Sequence, residues 1–270
     1  MFNIEMTKKS DLKAFYDREY LGSKYANTRR PEEHQFYTEL KSFINKFQLH
    51  KKKCLEIGCG RGAFQDLVTD YVGVDISDSV KEYFYKPFYQ ASATELPFED
   101  NTFDAIWTYA VLEHVPHPEK GLEEMRRVLK DNGILILLAA WQCRPWATDG
   151  LPVRPYRDLD LKGKLTKALI PVRNSVLFRS AFIFPGRLIR SIEFLLSKRP
   201  LWFKYKELNP NYTHFWMVDS DAVNSMDPYE TILWFLSRGD LCVSYTNWIK
   251  RFFVRTGSII FQIKKFTYSN

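Results

Sequence analysis

Residues 54–65 read CLEIGCGRGAFQ, and this stretch decides the fold. A short apolar segment containing Glu56 is followed by Gly58, Gly60 and Gly62 at alternate positions. Glycines spaced in this way after a strand mark a place where something must approach the backbone closely. The glycines alone do not identify the ligand that approaches the backbone, so the other motifs of the sequence are needed.

Strands and helices alternate on both sides of these glycines. The predicted strands are almost entirely apolar, which is typical of a parallel sheet covered on both faces. Strands are predicted over 53–57, 71–76, 88–91, 103–109, 134–141, 241–245 and 259–264. Helices are predicted over 11–21, 32–50, 62–69, 78–85, 119–129 and 227–239, with a turn at 131–133. No strand is predicted between residues 142 and 226.

The composition is that of a folded protein. Of the 270 residues, 45% are hydrophobic and 16% aromatic, which is enough for a core. The four cysteines form no CxxC pair, which favours reduced thiols. The N-terminus lacks the apolar region of a signal peptide, and no stretch reaches the roughly 18 apolar residues of a membrane span. We therefore expect a soluble, cytoplasmic protein.

Three ligands compete for the glycine-rich stretch. A phosphate-binding loop requires a Lys-Ser/Thr pair after its last glycine, and none follows here. A dinucleotide loop has the pattern GxGxxG, whereas this chain has GxGxG with Ala63 next, which weakens that interpretation. S-adenosylmethionine (SAM) fits Glu56 before the glycines and Asp75 at the end of the next predicted strand. A structural turn that binds nothing remains a further alternative.

Four motifs in order resemble the class I SAM-dependent methyltransferases of the small-molecule type. The glycine-rich motif is followed by a second motif that ends in an acid, by the segment that leads into the fourth strand, and by a loop, helix and fifth strand. These motifs are LEIGCGRG at 55–62, VGVDIS at 72–77, ATELPFEDNTFDAIW at 93–107 and LEHVPHPEKGLEEMRRVLKDNGILIL at 112–137. A lone GxGxG would be weak evidence, but the ordered set is specific.

The resemblance implies a SAM site and S-adenosylhomocysteine as the product. Asp75 would accept hydrogen bonds from both ribose hydroxyls, and a helix beginning at Gly62 would face the methionine carboxylate. Relatives often carry an acid at the position of Ser92, where serine is a weaker acceptor for the adenine amine. The predicted cofactor-binding residues are Tyr25, Arg30, Glu56, Gly58, Cys59, Gly60, Asp75, Ile76, Ser92, Ala93, Thr94, Tyr109 and Ala110.

The candidate catalytic residues are His114, His214 and Asp219. His114 follows the fourth strand and could remove a proton from an acceptor or hold it, although a histidine that only bonds the backbone is an alternative. His214 and Asp219 lie in the polar, aromatic segment 209–222, which lines an acceptor pocket or forms a packing turn. No metal site is predicted, because prolines interrupt the helix that His114 and His117 would need.

The basic charge is concentrated in one segment. The formal net charge is +7, and residues 142–210 contain 14 Lys and Arg against 5 Asp and Glu, a local +9 that leaves −2 for the remainder. Within it, residues 169–198 interleave large apolar side chains with arginines. Such a segment lies on an anionic membrane surface, binds an acidic substrate or packs as a lid. Nucleic acid is disfavoured, since no binding motif accompanies the charge.

The sequence thus predicts an α/β, Rossmann-like, seven-stranded, mostly parallel sheet with helices on both faces. Its parts are an N-terminal helical lid (1–50), a SAM-binding core (51–141), a basic insertion (142–226) and a C-terminal helix with the last two strands (227–270). We expect a methyltransferase acting on an oxygen or nitrogen of a small molecule, such as a sugar, lipid head group or secondary metabolite. The acceptor would be anionic or lipid-linked, with peripheral contact at the inner membrane face through 169–198. A non-catalytic SAM-binding protein is the alternative.

Overall fold

The computed structural model describes residues 2–22 and 30–265, and within the first helix it describes the side chains from Leu12 onward. Nine strands and eight α-helices lie in these residues. The strands are β1 Lys53–Ile57, β2 Asp70–Asp75, β3 Phe88–Gln90, β4 Phe103–Tyr109, β5 Leu129–Leu138, β6 Tyr205–Glu207, β7 Asn224–Met226, β8 Leu241–Cys242 and β9 Ile259–Gln262. The helices are α1 Phe2–Leu21, α2 Tyr37–Lys46, α3 Pro118–Val128, α4 Pro145–Thr148, α5 Leu161–Asn174, α6 Val176–Leu196, α7 Pro228–Leu236 and α8 Trp248–Phe252.

Seven strands form one sheet in the order β3-β2-β1-β4-β5-β9-β8. Strands β1 to β5 run parallel, while β9 pairs antiparallel with both β5 and β8. The predicted seven-stranded, mostly parallel sheet is therefore confirmed. The change of strand order beside β1 places the ends of β1, β2 and β4 side by side, where α/β sheets bind ligands.

The central strands β1, β2 and β4 are buried on both faces because they are largely apolar. Consecutive residues of β4 belong to different cores: Ile106 packs with α3 and α7, and Trp107 packs with α2. All of these side chains are fully buried. The alternation of a strand's side chains across the sheet explains why no polar face is visible in the sequence.

Two predicted helices are wrong. Residues 62–69 form successive turns in which the N–H of Gln65 donates to the oxygen of Gly62 at 3.2 Å. Gly62 has a φ of 71°, a left-handed conformation that cannot begin a right-handed helix. In the segment 78–85 only Lys81–Tyr83 is helical, as a single 3-10 turn.

The predicted turn at 131–133 is a bulge inside β5. Phe103 pairs with Leu129 whereas Ala105 pairs with Ile134, so β5 accommodates three extra residues between the two pairs. Asn132 has a φ of 62°, and its N–H donates to the oxygen of Ile263 at 2.9 Å. The turn-forming residues thus bend the strand without ending it.

The insertion after β5 contains α4, α5, α6 and the two-stranded antiparallel sheet β6-β7, which the sequence did not predict. Helix α6 packs against the core through its polar side: its buried residues are Arg187, Arg190 and Ser191. In the described part of the chain, every helix is too short or too polar to cross a membrane.

Candidate cofactor and active site

A cavity of about 250 Å³ opens at the carboxyl ends of β1, β2 and β4. The glycine loop forms one wall, and α1 covers it through Tyr16 and Tyr20. The predicted site residues that line it are Glu56, Gly58, Cys59, Gly60, Asp75, Ile76, Ser92, Ala93, Tyr109, Ala110 and His114. Residues scattered over sixty positions of sequence therefore meet in one place because their strands are neighbours.

Gly58 permits the sharp turn that closes this wall. Its φ is 71°, and a Cβ there would lie 2.1 Å from Cγ2 of Val111. The N–H groups of Gly58 and Cys59 donate to the oxygen of Val74 at 2.8 and 3.1 Å, which ties the loop to β2. The backbone of the loop consequently forms the cavity surface itself.

The carboxylate of Asp75 lies at the end of β2 and is buried. Its Oδ2 accepts from the N–H of Gly60 at 2.9 Å and from the hydroxyl of Tyr20 at 3.2 Å, and its Oδ1 accepts from the N–H of Ser77 at 3.0 Å. Burial raises the pKa of Asp75 above its ordinary value, and these hydrogen bonds oppose the shift. Asp75 thus holds the glycine loop and α1 to the same strand end.

Glu56 forms the inner end of the cavity. It is buried and accepts a hydrogen bond from the hydroxyl of Tyr71. Burial raises the pKa of Glu56 to about 8; the bond from Tyr71 opposes this rise, and the nearby charge of Asp75 adds to it. A cationic group placed beside Glu56 would therefore bind together with loss of a proton.

His114 also lines the cavity and lies in the 3-10 turn Leu112–His114 after β4. Its Nδ1 is 3.4 Å from Oδ2 of Asp221, and that oxygen also accepts from the hydroxyl of Tyr16 at 3.0 Å. Asp219 also lies close enough for His114 to lower its pKa, although burial raises that pKa by more. The other ring nitrogen, Nε2, lies 3.9 Å from Oε1 of Glu113, so each side of the imidazole faces a carboxylate.

Glu113 is fully buried behind His114. Its Oε1 accepts from the N–H of Ala140 at 3.0 Å, and among the described residues its Oε2 has no hydrogen-bond partner. Burial raises the pKa of Glu113, opposed by the neighbouring His114. Glu113 thereby links the turn after β4 to the segment after β5.

The remaining predicted site residues are placed elsewhere. Thr94 bonds to Ser92 at 2.8 Å but does not line the cavity. Arg30 is exposed, with Nη1 4.0 Å from Oε1 of Glu33. His214 is also exposed and lies against the ring of Trp216, with ring centroids 4.1 Å apart. Tyr25 lies outside the described residues.

Tyr16 and Asp221 are the site residues that sequence reasoning did not assign a role beside His114. Asp221 lies in the segment 209–222, which the sequence indicated as a possible pocket wall, but its partner His114 is more than a hundred positions away. Tyr16 and Tyr20 lie four residues apart on α1, the spacing of one helix face. This spacing is the feature of the sequence that could have placed both tyrosines at the site.

Comparison with known proteins connects this geometry to a family. Residues 55–137 match the family described as a methyltransferase domain. An uncharacterized protein of Methanocaldococcus jannaschii is 38% identical over 107 residues, 38% of this chain and 47% of that protein. A sterol 4-C-methyltransferase of Caenorhabditis elegans is 31% identical over 99 residues, 31% of this chain and 30% of that enzyme. The chain thus spans about half or less of the length of these curated relatives.

A solved structure gives a further, distant match. The N-methyltransferase NodS of Bradyrhizobium japonicum, in complex with S-adenosylhomocysteine, aligns with a TM-score of 0.39 and 17% identity over 49% of this chain and 74% of that one. The family match agrees with the resemblance that the four motifs carry: residues 55–137 are similar to a methyltransferase domain.

Proposed function

We propose that this chain binds SAM in the cavity and transfers its methyl group to an oxygen or nitrogen of a small-molecule acceptor. The observation that carries the proposal is the presence of the glycine loop, Asp75 and His114 in one cavity, in a segment that is similar to a methyltransferase domain. The cavity offers groups that suit the cofactor, and it also offers a histidine flanked by carboxylates.

The residues of the cavity fit the cofactor. The Asp75 carboxylate suits a vicinal diol such as that of the ribose, and Glu56 suits the methionine amino group. Because no helix begins at Gly62, turn N–H groups rather than a helix end would meet the methionine carboxylate. When bound, SAM supplies an electrophilic methyl group on a sulfonium; the chain supplies alignment and exclusion of water.

His114 is the candidate general base for this transfer. Asp221 and Tyr16 hold the Nδ1 side of the imidazole, and Nε2, which lies 3.9 Å from Oε1 of Glu113, is the nitrogen that would take a proton from an acceptor hydroxyl or amine. Asp219 would support the charge that His114 gains. His214 remains a candidate only if the segment that carries it moves toward the cavity.

An anionic acceptor is favoured by a group of arginines beyond β5. Burial lowers the pKa of both Arg144 and Arg179, and the charge of Arg255 lowers each further. In the described structure, Nε of Arg179 is buried without a hydrogen-bond partner. Arg144 and Arg179 line a groove that also contains Trp146 and Phe182. A carboxylate or phosphate would relieve the repulsion between these guanidinium groups.

Calorimetric titration with SAM, S-adenosylhomocysteine and NADH tests the cofactor first. We expect micromolar binding of the two adenosyl ligands alone, and its loss in Asp75→Ala. Binding of NADH, or of none of the three, would refute the cofactor. Asp78→Asn is the matched control, since Asp78 is an exposed carboxylate just beyond the same strand.

Turnover is tested with labelled SAM and a panel of acceptors with and without phosphate or carboxylate groups. Alanine at His114, His214 and Asp219 should show which residue transfer requires, with SAM binding retained. If all three variants match the wild type, the base assignment is wrong. If SAM binds and no acceptor is methylated, the chain is a SAM-binding module without catalysis.

A further inference from the structure

Helix α6 differs from an ordinary surface helix, because its fully buried residues are polar and most of its apolar residues are exposed. Leu195 is 73% exposed, Leu196 is 77% exposed and Phe182 is 69% exposed. We define the apolar face of α6 as its exposed residues Leu177, Phe182, Leu188, Ile189, Ile192, Leu195 and Leu196. From Leu188 onward these recur every three or four residues, which places them on one side of the helix.

The orientation of α6 is fixed by its polar side. Arg187 forms an ion pair with Asp227 at 2.6 Å and donates to the oxygen of Val254 at 2.7 Å. Arg190 pairs with the buried carboxylate of Glu230. Rotating the helix to cover its leucines would separate the buried guanidinium groups from their carboxylates and leave the buried Glu230 unpaired, at a large cost. The contacts of Arg187 and Arg190 therefore keep the apolar face of α6 exposed to solvent.

Neighbouring elements carry further exposed apolar residues. Helix α5 exposes Leu161, Leu165, Leu169 and Val172, at spacings of four, four and three residues. Phe184 of α6 packs against Phe253, with ring centroids 5.1 Å apart, and Phe253 is itself exposed. Trp202, just after α6, is 86% exposed. Apolar surface of this extent and continuity in sequence marks an interaction site.

The charges around the apolar face have one sign. Residues 161–202 contain nine basic residues and one acid, Glu193. Glu193 already pairs with Arg190 and with Lys204. The exposed basic residues of this stretch include Lys162, Lys164, Arg173, Lys198 and Arg199. An apolar face flanked by lysine and arginine is complementary to a surface of anionic lipid head groups.

We propose that the apolar face of α6 inserts into the head-group region of an anionic bilayer and seats the protein on the membrane surface. The helix would lie in the plane of the membrane, since Arg187 and Arg190 hold its opposite side to α7 and the segments beside it. A second copy of the chain fits this face less well, because a symmetric contact would bring the basic flanks together. The proposal does not rest on methyl transfer.

Vesicle flotation of the full chain tests the membrane proposal. The vesicles contain phosphatidylcholine, with or without phosphatidylserine. The wild type should float with the anionic vesicles, and added salt should weaken binding. Leu188→Gln/Ile192→Gln/Leu195→Gln should reduce partitioning by on the order of a hundredfold. Lys198→Gln/Arg199→Gln should reduce it roughly tenfold. Val218→Gln, at an exposed apolar residue outside α5 and α6, is the matched control and should bind like the wild type.

Three results would overturn the proposal. The first is no binding of the wild type to anionic vesicles, and the second is equal binding to neutral vesicles. The third is a wild-type dimer in sedimentation that the triple variant converts to a monomer, which would assign the face to a second copy. Because the three substituted side chains are exposed, thermal unfolding of the triple variant should match the wild type and verify its fold.

Discussion

The hydroxyl of Tyr20 lies 3.2 Å from Oδ2 of Asp75, so the last turn of α1 is hydrogen-bonded to the carboxylate best suited to a ribose. The same oxygen accepts from Gly60, and the other accepts from Ser77. Two ribose hydroxyls would therefore have to displace at least one existing partner. Tyr20, on α1, is the partner that can leave without unfolding the glycine loop.

Tyr20→Phe should therefore strengthen the binding of S-adenosylhomocysteine. Removing one competing hydrogen bond of about 0.5–1.5 kcal/mol predicts a gain of roughly two- to tenfold. The measurement is calorimetric titration of the variant beside the wild type. Tyr85→Phe, which removes an exposed tyrosine hydroxyl elsewhere, should leave the affinity unchanged. Weaker binding of Tyr20→Phe would mean that the hydroxyl contacts the cofactor itself.

Binding of SAM should release a proton from Glu56. With a pKa of about 8, Glu56 is mostly protonated at neutral pH, and a cation beside it favours the carboxylate. Affinity should therefore rise with pH up to about 8, by at most about tenfold per unit for one proton. Titration in buffers of different ionisation enthalpy measures this release.

Glu56→Gln is the control for that experiment, since the amide cannot titrate. Any change in protonation of other groups on binding occurs in both proteins, so the difference between the two isolates Glu56. Identical proton release in both would show that Glu56 does not face the cation.

Asp221→Asn should slow methyl transfer without weakening SAM binding. Asp221 faces Nδ1 of His114 and holds Tyr16 but does not line the cavity. Loss of an oriented base costs on the order of 10²–10⁴-fold in kcat, and His114→Ala should reach this range while Asp221→Asn falls short of it. Steady-state kinetics with the identified acceptor measures both. A raised KM for SAM with unchanged kcat would contradict a role in catalysis.

Glu230→Gln should destabilise the protein strongly. It removes the buried one of the two carboxylates that pair with Arg190 and leaves only Glu193, which is partly exposed; breaking such a buried pair costs up to about 3–5 kcal/mol. Urea denaturation measures the free energy of unfolding of the variant and of the wild type. Arg199→Gln, at an exposed site just after the same helix, should change it by no more than about 0.5 kcal/mol.

The contribution of the ion pair between Arg190 and Glu230 can also be tested by substituting both residues. Arg190→Met/Glu230→Met should cost less than Glu230→Gln alone, because neither buried charge is left behind. Equal losses in the two variants would show that packing volume, rather than the ion pair, determines the stability of this contact.

The sequence predicted the sheet well because buried parallel strands appear as short apolar segments joined by glycine-rich connections. Both features can be recognised within a few residues of sequence. It failed over 62–69, where apolar residues have helical spacing but Gly62 adopts a left-handed conformation. It could not find the pairing of His114 with Asp221, which depends on how the insertion folds back. The residues of α6 suggested a basic amphipathic helix, yet only the contacts with Asp227 and Glu230 reveal that Arg187 and Arg190 face inward.

The placement of β9 between β5 and β8 has a consequence for biosynthesis. During translation β5 emerges long before β9, because the whole insertion and α7 are made between them. Until β9 docks, the open edge of β5 presents Ile134, Leu135, Ile136 and Leu137 with unpaired backbone groups, a template for pairing with another chain. The nascent protein is thus most exposed to aggregation while its insertion is being synthesised, and chaperone dependence should end when residues 259–262 leave the ribosome.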